Sequence, residues 1–154
     1  MRSSLLAAVL FGIACVPVQG LAQTTGPKIA PVDEYFGETS ESILEIRNRI
    51  AEVEAKSDAE LRIPAAVSNL DYFEDALVDW QRKYPADPWV ADALSRTISC
   101  YARAGAVGSA QAAELYTILT KSYSKSPAAE RAVFAMWEAR PVIVPVQTAT
   151  VTAK

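Results

Sequence analysis

Apolar side chains recur every three or four residues through the middle of the chain, which is the period of an α-helix. The clearest stripe consists of Leu70, Phe73, Leu77, Trp80 and Tyr84. Residues at this spacing share one helix face, and an apolar face packs into a core. Pro64 suits the first turn of this helix, and Pro85 ends it because the residue before a proline avoids helical backbone angles.

An earlier stripe begins at a sequence typical of a helix start. In the run Ser42-Ile43-Leu44-Glu45, the serine and the glutamate side chains can each bond to a free backbone amide, as in a capping box. Apolar residues then recur at Ile46, Ile50 and Val53. We predict a first helix from about Ser42 to Lys56 and a connection over residues 57–63.

Three further helices are bounded by proline and glycine. Pro88 begins the third, the fourth ends near Tyr123, and the fifth runs from Pro127 until Pro141 stops it. The apolar positions of the fifth helix, which we expect to face the core, are Val133, Phe134, Met136 and Trp137. Together the stripes predict an all-α domain of four to five helices.

The turn that joins the second and third predicted helices occurs twice. Tyr84-Pro85-Ala86-Asp87-Pro88 returns in a looser form as Tyr123-Ser124-Lys125-Ser126-Pro127, 39 residues later (123 − 84). With the chain shifted by this spacing, apolar positions fall on apolar positions. A period of this length is typical of a two-helix repeat unit, and stacked units form surfaces that bind other proteins.

These residues resemble the tetratricopeptide-type repeats of periplasmic outer-membrane assembly lipoproteins and of the cell-division coordinator associated with the Tol-Pal system. The matching positions are Tyr84-Pro85, Pro88, Tyr101, Gly105, Ala112 and Tyr116. The resemblance implies tetratricopeptide-like helical hairpins with a groove for a protein or peptide. Fewer than three full units fit, so we expect the first helix to act as a cap.

The start of the chain predicts export. One positive charge at Arg2 precedes a short apolar run, and small residues flank Leu21; this pattern is typical of a secretory signal peptide over residues 1–22, with cleavage between Ala22 and Gln23. We therefore expect a periplasmic or secreted protein. An alternative is an envelope lipoprotein acylated at Cys15, because the preceding residues form a weak lipobox; only then would the chain contact a membrane.

Charge is distributed unevenly along a chain of formal net charge −3. Residues 33–60 contain nine acidic and three basic residues, whereas residues 93–140 contain three acidic and six basic ones. The asymmetry either steers a partner or reflects solvated helix faces. An acidic chain without a basic stripe is a poor nucleic-acid binder. The absence of histidine removes Ser-His and Cys-His catalysis.

The segments between these features complete the predicted organisation. Residues 23–38 carry turn-forming residues with little periodicity, which predicts a flexible lead-in in which Tyr35-Phe36 docks onto the domain. Residues 39–140 form the helical domain. Residues 141–154 form an extended or disordered tail, of which residues 142–144 are expected to pack on the last helix.

Three carboxylates share one face of the second helix, because Asp71, Asp75 and Asp79 are spaced four residues apart. Calcium takes roughly 6–8 oxygen ligands, which a single helix face seldom supplies. We therefore predict no metal and no cofactor. The face is either solvated or meets a basic partner, since like charges at this spacing repel one another.

Two more residues are candidates for a role outside the core. Trp89 lies one position off the stripe of the third helix, and we predict that it is an exposed anchor for a partner. Cys100 is the one cysteine left after cleavage; its apolar neighbours predict a buried, inert thiol, with an intermolecular disulfide as the alternative.

The sequence thus favours a non-enzymatic interaction or scaffold module of the bacterial envelope that binds a protein or peptide partner. We predict no catalytic residues. A structural lipoprotein and a carboxylate-dependent hydrolase or lyase are the alternatives. The sequence does not indicate the partner or the oligomeric state.

Overall fold

The computed structural model describes residue 26 and residues 28–139. The predicted signal peptide, its cleavage site between Ala22 and Gln23, the acylation site Cys15 and the tail of residues 141–154 lie outside the described residues. Within the described part, none of the helices combines the length and the apolar character needed to cross a membrane.

Six helices and one small sheet make up the described chain. The helices are α1 (Ile43–Glu54), α2 (Asp58–Leu61), α3 (Pro64–Lys83), α4 (Val90–Arg103), α5 (Ala110–Ser122) and α6 (Pro127–Glu138). The sheet pairs β1 (Tyr35–Phe36) antiparallel with β2 (Glu41–Ser42). The all-α prediction is confirmed. The count of four to five helices was too low, because α2 lies within the predicted connection of residues 57–63.

Matching capping boxes begin α1 and α2. The Glu45 carboxylate accepts a 2.7 Å hydrogen bond from the Ser42 N–H, and the Ser42 hydroxyl accepts one from the Glu45 N–H. Ser57 and Glu60 repeat this exchange at the start of α2. The box at Ser57 was visible in the sequence, and it is the physical reason why the predicted connection contains a helical turn.

The core is centred on α4, which packs against α1, α3, α5 and α6. Leu94, Ile98 and Tyr101 of α4 are fully buried. The predicted stripe of α3 is also buried along its whole length. At the C-terminal end of α4, the Arg103 side chain donates hydrogen bonds to the carbonyl oxygens of Glu54 and Lys56. α4 therefore also fixes the end of α1.

The two repeated turns end the preceding helices through the same backbone hydrogen bond. The N–H of Tyr84 bonds to the carbonyl of Trp80, and the N–H of Tyr123 bonds to the carbonyl of Leu119, both at 2.9 Å. Each tyrosine therefore ends its helix in the same way. The Tyr123 hydroxyl also donates a 2.8 Å bond to the carbonyl of Pro85, so the second turn rests on the first.

Residues 30–42 precede α1 and cover α3, which lies at one end of the helical domain. We call this segment the N-terminal cap. Phe36 is 1% exposed, and its ring lies 6.2 Å from that of Trp80 and 6.0 Å from that of Tyr84. Tyr35 points the other way, as successive strand residues do, and is exposed. The expected flexible lead-in of residues 23–38 therefore contacts the helical domain at Ala30, Phe36 and Gly37. Of the pair Tyr35-Phe36, which was expected to dock, Phe36 does so and Tyr35 does not.

One glycine makes this close packing possible. Gly37 has a φ of +68°, and a Cβ atom built there would lie 2.7 Å from the backbone of Ala76 on α3. A distance this short excludes any side chain, and positive φ favours glycine. Gly37 therefore sets how closely the N-terminal cap approaches α3.

Candidate functional site

A groove of about 420 Å³ lies between the end of α5 and the outer face of α6. Val133, Phe134 and Trp137 form its apolar wall, and Thr120 and Ser124 lie on the other side. The three wall residues are 46%, 58% and 66% exposed. We call this feature the α5–α6 groove. Contiguous exposed apolar side chains of this size are typical of interaction sites.

The outward direction of these side chains contradicts the predicted packing of α6, which placed Val133, Phe134 and Trp137 towards the core. The buried residues of α6 are alanines: Ala128, Ala129 and Ala132. Alanine allows α6 to lie close to α4, because the distance between packed helices depends on the side chains at the contact. The large side chains then occupy the roughly opposite face of α6.

Trp89 lies outside the lining of the α5–α6 groove and is 51% exposed. The guanidinium group of Arg47 lies 4.4 Å from the centroid of its ring. A cation at this distance over an indole ring is attracted by the ring electrons. One face of Trp89 is thus already occupied within the chain, and its role as a partner anchor stays a prediction.

Two of the three aspartates that the sequence made candidates for partner binding contact the N-terminal cap. Asp75 accepts a 2.8 Å hydrogen bond from the Glu38 N–H, and Asp79 accepts one of 3.2 Å from the Gly37 N–H. Lys83 also lies 3.0 Å from Asp79. Backbone amides and a lysine therefore satisfy carboxylates that the sequence analysis assigned to solvent or to a basic partner.

The third aspartate belongs to a cluster between α3, α4 and α5. Asp71 accepts a 2.7 Å hydrogen bond from the Tyr101 hydroxyl. Glu74, one turn further along α3, is 9% exposed, and its Oε1 has no hydrogen-bond partner among the described residues. Burial, and then the charges of Glu114, Asp75 and Asp71, raise the pKa of Glu74 to about 7.

Asp87 lies within the repeated turn and had no predicted role. Asp87 is buried, and its carboxylate accepts hydrogen bonds from the N–H groups of Ala30 and Trp89, at 3.1 and 3.0 Å. The indole N–H of Trp80 is a third, longer donor at 3.4 Å. In the second turn, the matching Ser126 accepts a bond from the Ala129 N–H and caps α6. Asp87 thus links the cap to the array.

The thiol of Cys100 is shielded from solvent in the described part of the chain. Cys100 is buried, as predicted, and burial, followed by the charge of Glu54, raises the pKa of its thiol to about 11. A protonated thiol is a poor nucleophile. Among residues 28–139, no group of three or more acidic or cysteine side chains has an arrangement that could hold a metal ion.

Comparisons with protein-family models, with curated proteins and with solved structures found no match. The resemblance to tetratricopeptide-type repeats therefore stays a prediction from the residues of the two turns. The structural feature that does point to a function is the exposed apolar wall of the α5–α6 groove.

Proposed function

We propose that this chain is an exported, non-enzymatic interaction module of the bacterial envelope that binds a protein or peptide through the α5–α6 groove. The observation that carries the proposal is the exposure of Val133, Phe134 and Trp137 on one helix face. Burying such side chains against a partner releases free energy at about 25 cal/mol per Å². The signal-peptide pattern of residues 1–22 supports export.

The groove also indicates the chemistry of the partner. Its wall is apolar, Thr120 and Ser124 contribute hydroxyl groups, and Glu130 contributes one charge. Tryptophan on an exposed helix face is a frequent source of binding energy in protein interfaces. We expect the partner to insert two or three apolar side chains, from an amphipathic helix or from an extended segment.

A photo-crosslinking experiment tests this assignment in cells that produce the chain naturally. A photoreactive amino acid replaces Phe134 in the tagged full-length protein, and mass spectrometry identifies crosslinked proteins in the envelope fraction. We expect one recurrent partner, and we expect its capture to fall at least tenfold in the Trp137→Asp variant. Leu44→Asp is the matched control, because Leu44 is 65% exposed and lies on α1, outside the groove.

If capture is equally strong in the Trp137→Asp and Leu44→Asp variants, the groove is not the binding site. The mass of the mature chain decides the competing lipoprotein assignment in the same preparation. A chain that begins at Gln23 supports a periplasmic module, whereas a lipid on Cys15 supports the envelope lipoprotein that the residues before Cys15 favour.

A further inference from the structure

The α5–α6 groove lies close to the point where the described chain ends. α6 ends at Glu138, Ala139 is its C-terminal capping residue, and Trp137 of the groove wall is therefore in the last turn of the helix. Whatever follows residue 139 starts next to an exposed apolar surface. The residues that follow are Arg140-Pro141-Val142-Ile143-Val144-Pro145-Val146.

We propose that residues 142–146 of the chain lie in the α5–α6 groove, and that a partner must displace them in order to bind. This inference rests on the proposed function, because it identifies a competitor at the same groove. It also identifies the ligand chemistry that the groove takes, namely a short, uncharged, extended segment of β-branched side chains.

The composition of the segment fits the groove. Four of its five residues are β-branched apolar residues, and it carries no charge. Pro141 and Pro145 keep this part of the chain from continuing α6, because proline lacks an amide hydrogen and clashes with the preceding helical turn. β-Branched residues next to prolines favour an extended backbone. Such a segment presents side chains alternately to the groove and to solvent.

The length of the segment also fits. The groove wall follows α6 from Ala129 to Trp137, which is about 12 Å at roughly 1.5 Å per helical residue. Five extended residues span about 16 Å at roughly 3.3 Å each. Residues 139–141 remain to reverse the direction of the chain after the helix. The segment can therefore run back along the groove wall without stretching.

Attachment to α6 makes this contact favourable even if a free peptide of the same sequence binds weakly. A short tether gives the segment an effective concentration of about 1 mM or more at the groove. A dissociation constant of about 100 μM for the free peptide would then leave the groove mostly occupied. A partner must bind the groove more tightly than the tethered segment does. The segment therefore sets the minimum affinity that a partner needs.

Disulfide formation in the full-length chain tests the position of the segment. Val133→Cys is combined with Ile143→Cys, and the control pairs combine Val133→Cys with Thr152→Cys and Arg131→Cys with Ile143→Cys. In a freely moving tail, the shorter loop alone would make the first pair form its disulfide only about threefold faster than the Thr152 pair. We expect the first pair to form an intramolecular disulfide at least tenfold faster than either control. Equal rates, or a disulfide between two chains, would overturn the proposal.

Peptide competition provides a second test that does not depend on engineered cysteines. The probe is a fluorescent peptide of residues 141–147. We expect it to bind at least tenfold more tightly to a full-length chain carrying Ile143→Asp and Val144→Asp than to the unaltered chain. Thr148→Asp with Thr150→Asp is the matched control and should not change the affinity. Equal affinity for all three chains, or no binding to any, would contradict the proposal.

The two proposals fail in different ways. If partner capture depends on Trp137 but the cysteine pairs react equally, the groove binds a partner and the tail does not occupy it. If the disulfide between positions 133 and 143 forms selectively while partner capture does not depend on Trp137, the groove holds the tail and the proposed function is wrong.

Discussion

The two repeated turns of this protein end α3 and α5 through the same backbone hydrogen bond but have different surroundings. At the first turn, the Tyr84 hydroxyl donates to the Glu34 carboxylate, and Asp87 accepts from the Ala30 N–H, so both residues contact the N-terminal cap. At the second turn, Tyr123 bonds back to the first turn and Ser126 bonds within its own helix. The first turn therefore has a covering segment that the second lacks among the described residues.

The two ends of the helical domain also differ in how far a phenylalanine side chain is exposed. Phe73 on α3 is 1% exposed, whereas Phe134 on α6 is 58% exposed. A two-helix unit cannot bury both of its faces by itself, so each end of a short array needs a covering element. At the α3 end, the cap and α1 supply it. At the α6 end, none of the described residues covers the face formed by Val133, Phe134 and Trp137.

Among the substitutions at the cap and the two turns, the largest effect is expected from removing the link between the cap and the first turn. Asp87→Ala should lower the free energy of unfolding by about 3–4 kcal/mol, because it leaves the buried N–H groups of Ala30 and Trp80 without an acceptor, at about 1–3 kcal/mol for each unsatisfied group. Urea unfolding followed by circular dichroism measures the loss.

Ser126→Ala is the matched control at the second turn. It removes one helix-capping bond, so we expect a loss of about 1 kcal/mol. Equal losses at Asp87 and Ser126 would show that Asp87 acts only as a local turn residue, and that the contact with Ala30 contributes little.

The second prediction concerns how closely the cap approaches α3. Gly37→Ala should cost about 2–3 kcal/mol, because the new Cβ meets the Ala76 backbone at 2.7 Å in addition to the strain of positive φ. Gly105→Ala is the control: Gly105 has a φ of +74° and nothing within 4 Å of its added Cβ, so about 1 kcal/mol is expected. Thermal unfolding compares them, and equal costs would mean that the cap adapts.

The helices that were predicted correctly have local signals. The stripe of α3 and the prolines at its two ends act within the helix itself, so neighbouring residues in the sequence are sufficient to define it. The same holds for the capping box at Ser42. These features need no knowledge of the rest of the fold.

The contacts that the sequence did not indicate involve partners that are distant in sequence. The spacing of Asp75 and Asp79 showed a shared face, but their partners are backbone N–H groups about 40 residues away, and every residue except proline carries such a group. For α6, the pattern grouped Val133, Phe134 and Trp137 correctly on one side. It did not indicate that the alanine side would pack against α4, because small residues fit a core as well as large ones do.

The third prediction concerns the cluster that joins the two halves of the array. Since the pKa of Glu74 is raised from 4.5 to about 7, the unfolded chain loses a proton at lower pH than the folded chain. The contribution of Glu74 to stability is therefore greatest below pH 4.5 and falls as the pH rises towards 7. Glu74→Gln removes this loss, so it should stabilise the protein by about 1–2 kcal/mol at pH 8 and have little effect at pH 4.

Urea unfolding at pH 4, 6 and 8 measures this difference between the variant and the unaltered chain. Glu130→Gln is the control, because Glu130 is an exposed glutamate on α6, and its effect should be small at every pH. A Glu74→Gln effect that does not change with pH would mean that the carboxyl group of Glu74 does not titrate in this range.

The smallest effect is expected at the open end, where the same substitution can be compared directly with the covered end. Phe134→Ala should change the free energy of unfolding by less than about 1 kcal/mol, because none of the described residues buries the ring, because the tail segment proposed to cover it would bind only weakly, and because alanine favours a helix. Phe73→Ala should cost about 3–5 kcal/mol, since it leaves a cavity in a packed core. Urea unfolding of both variants gives the comparison. A loss at Phe134 close to that at Phe73 would mean that the Phe134 ring is packed as tightly as a core side chain, so that the two ends differ less than the described residues indicate.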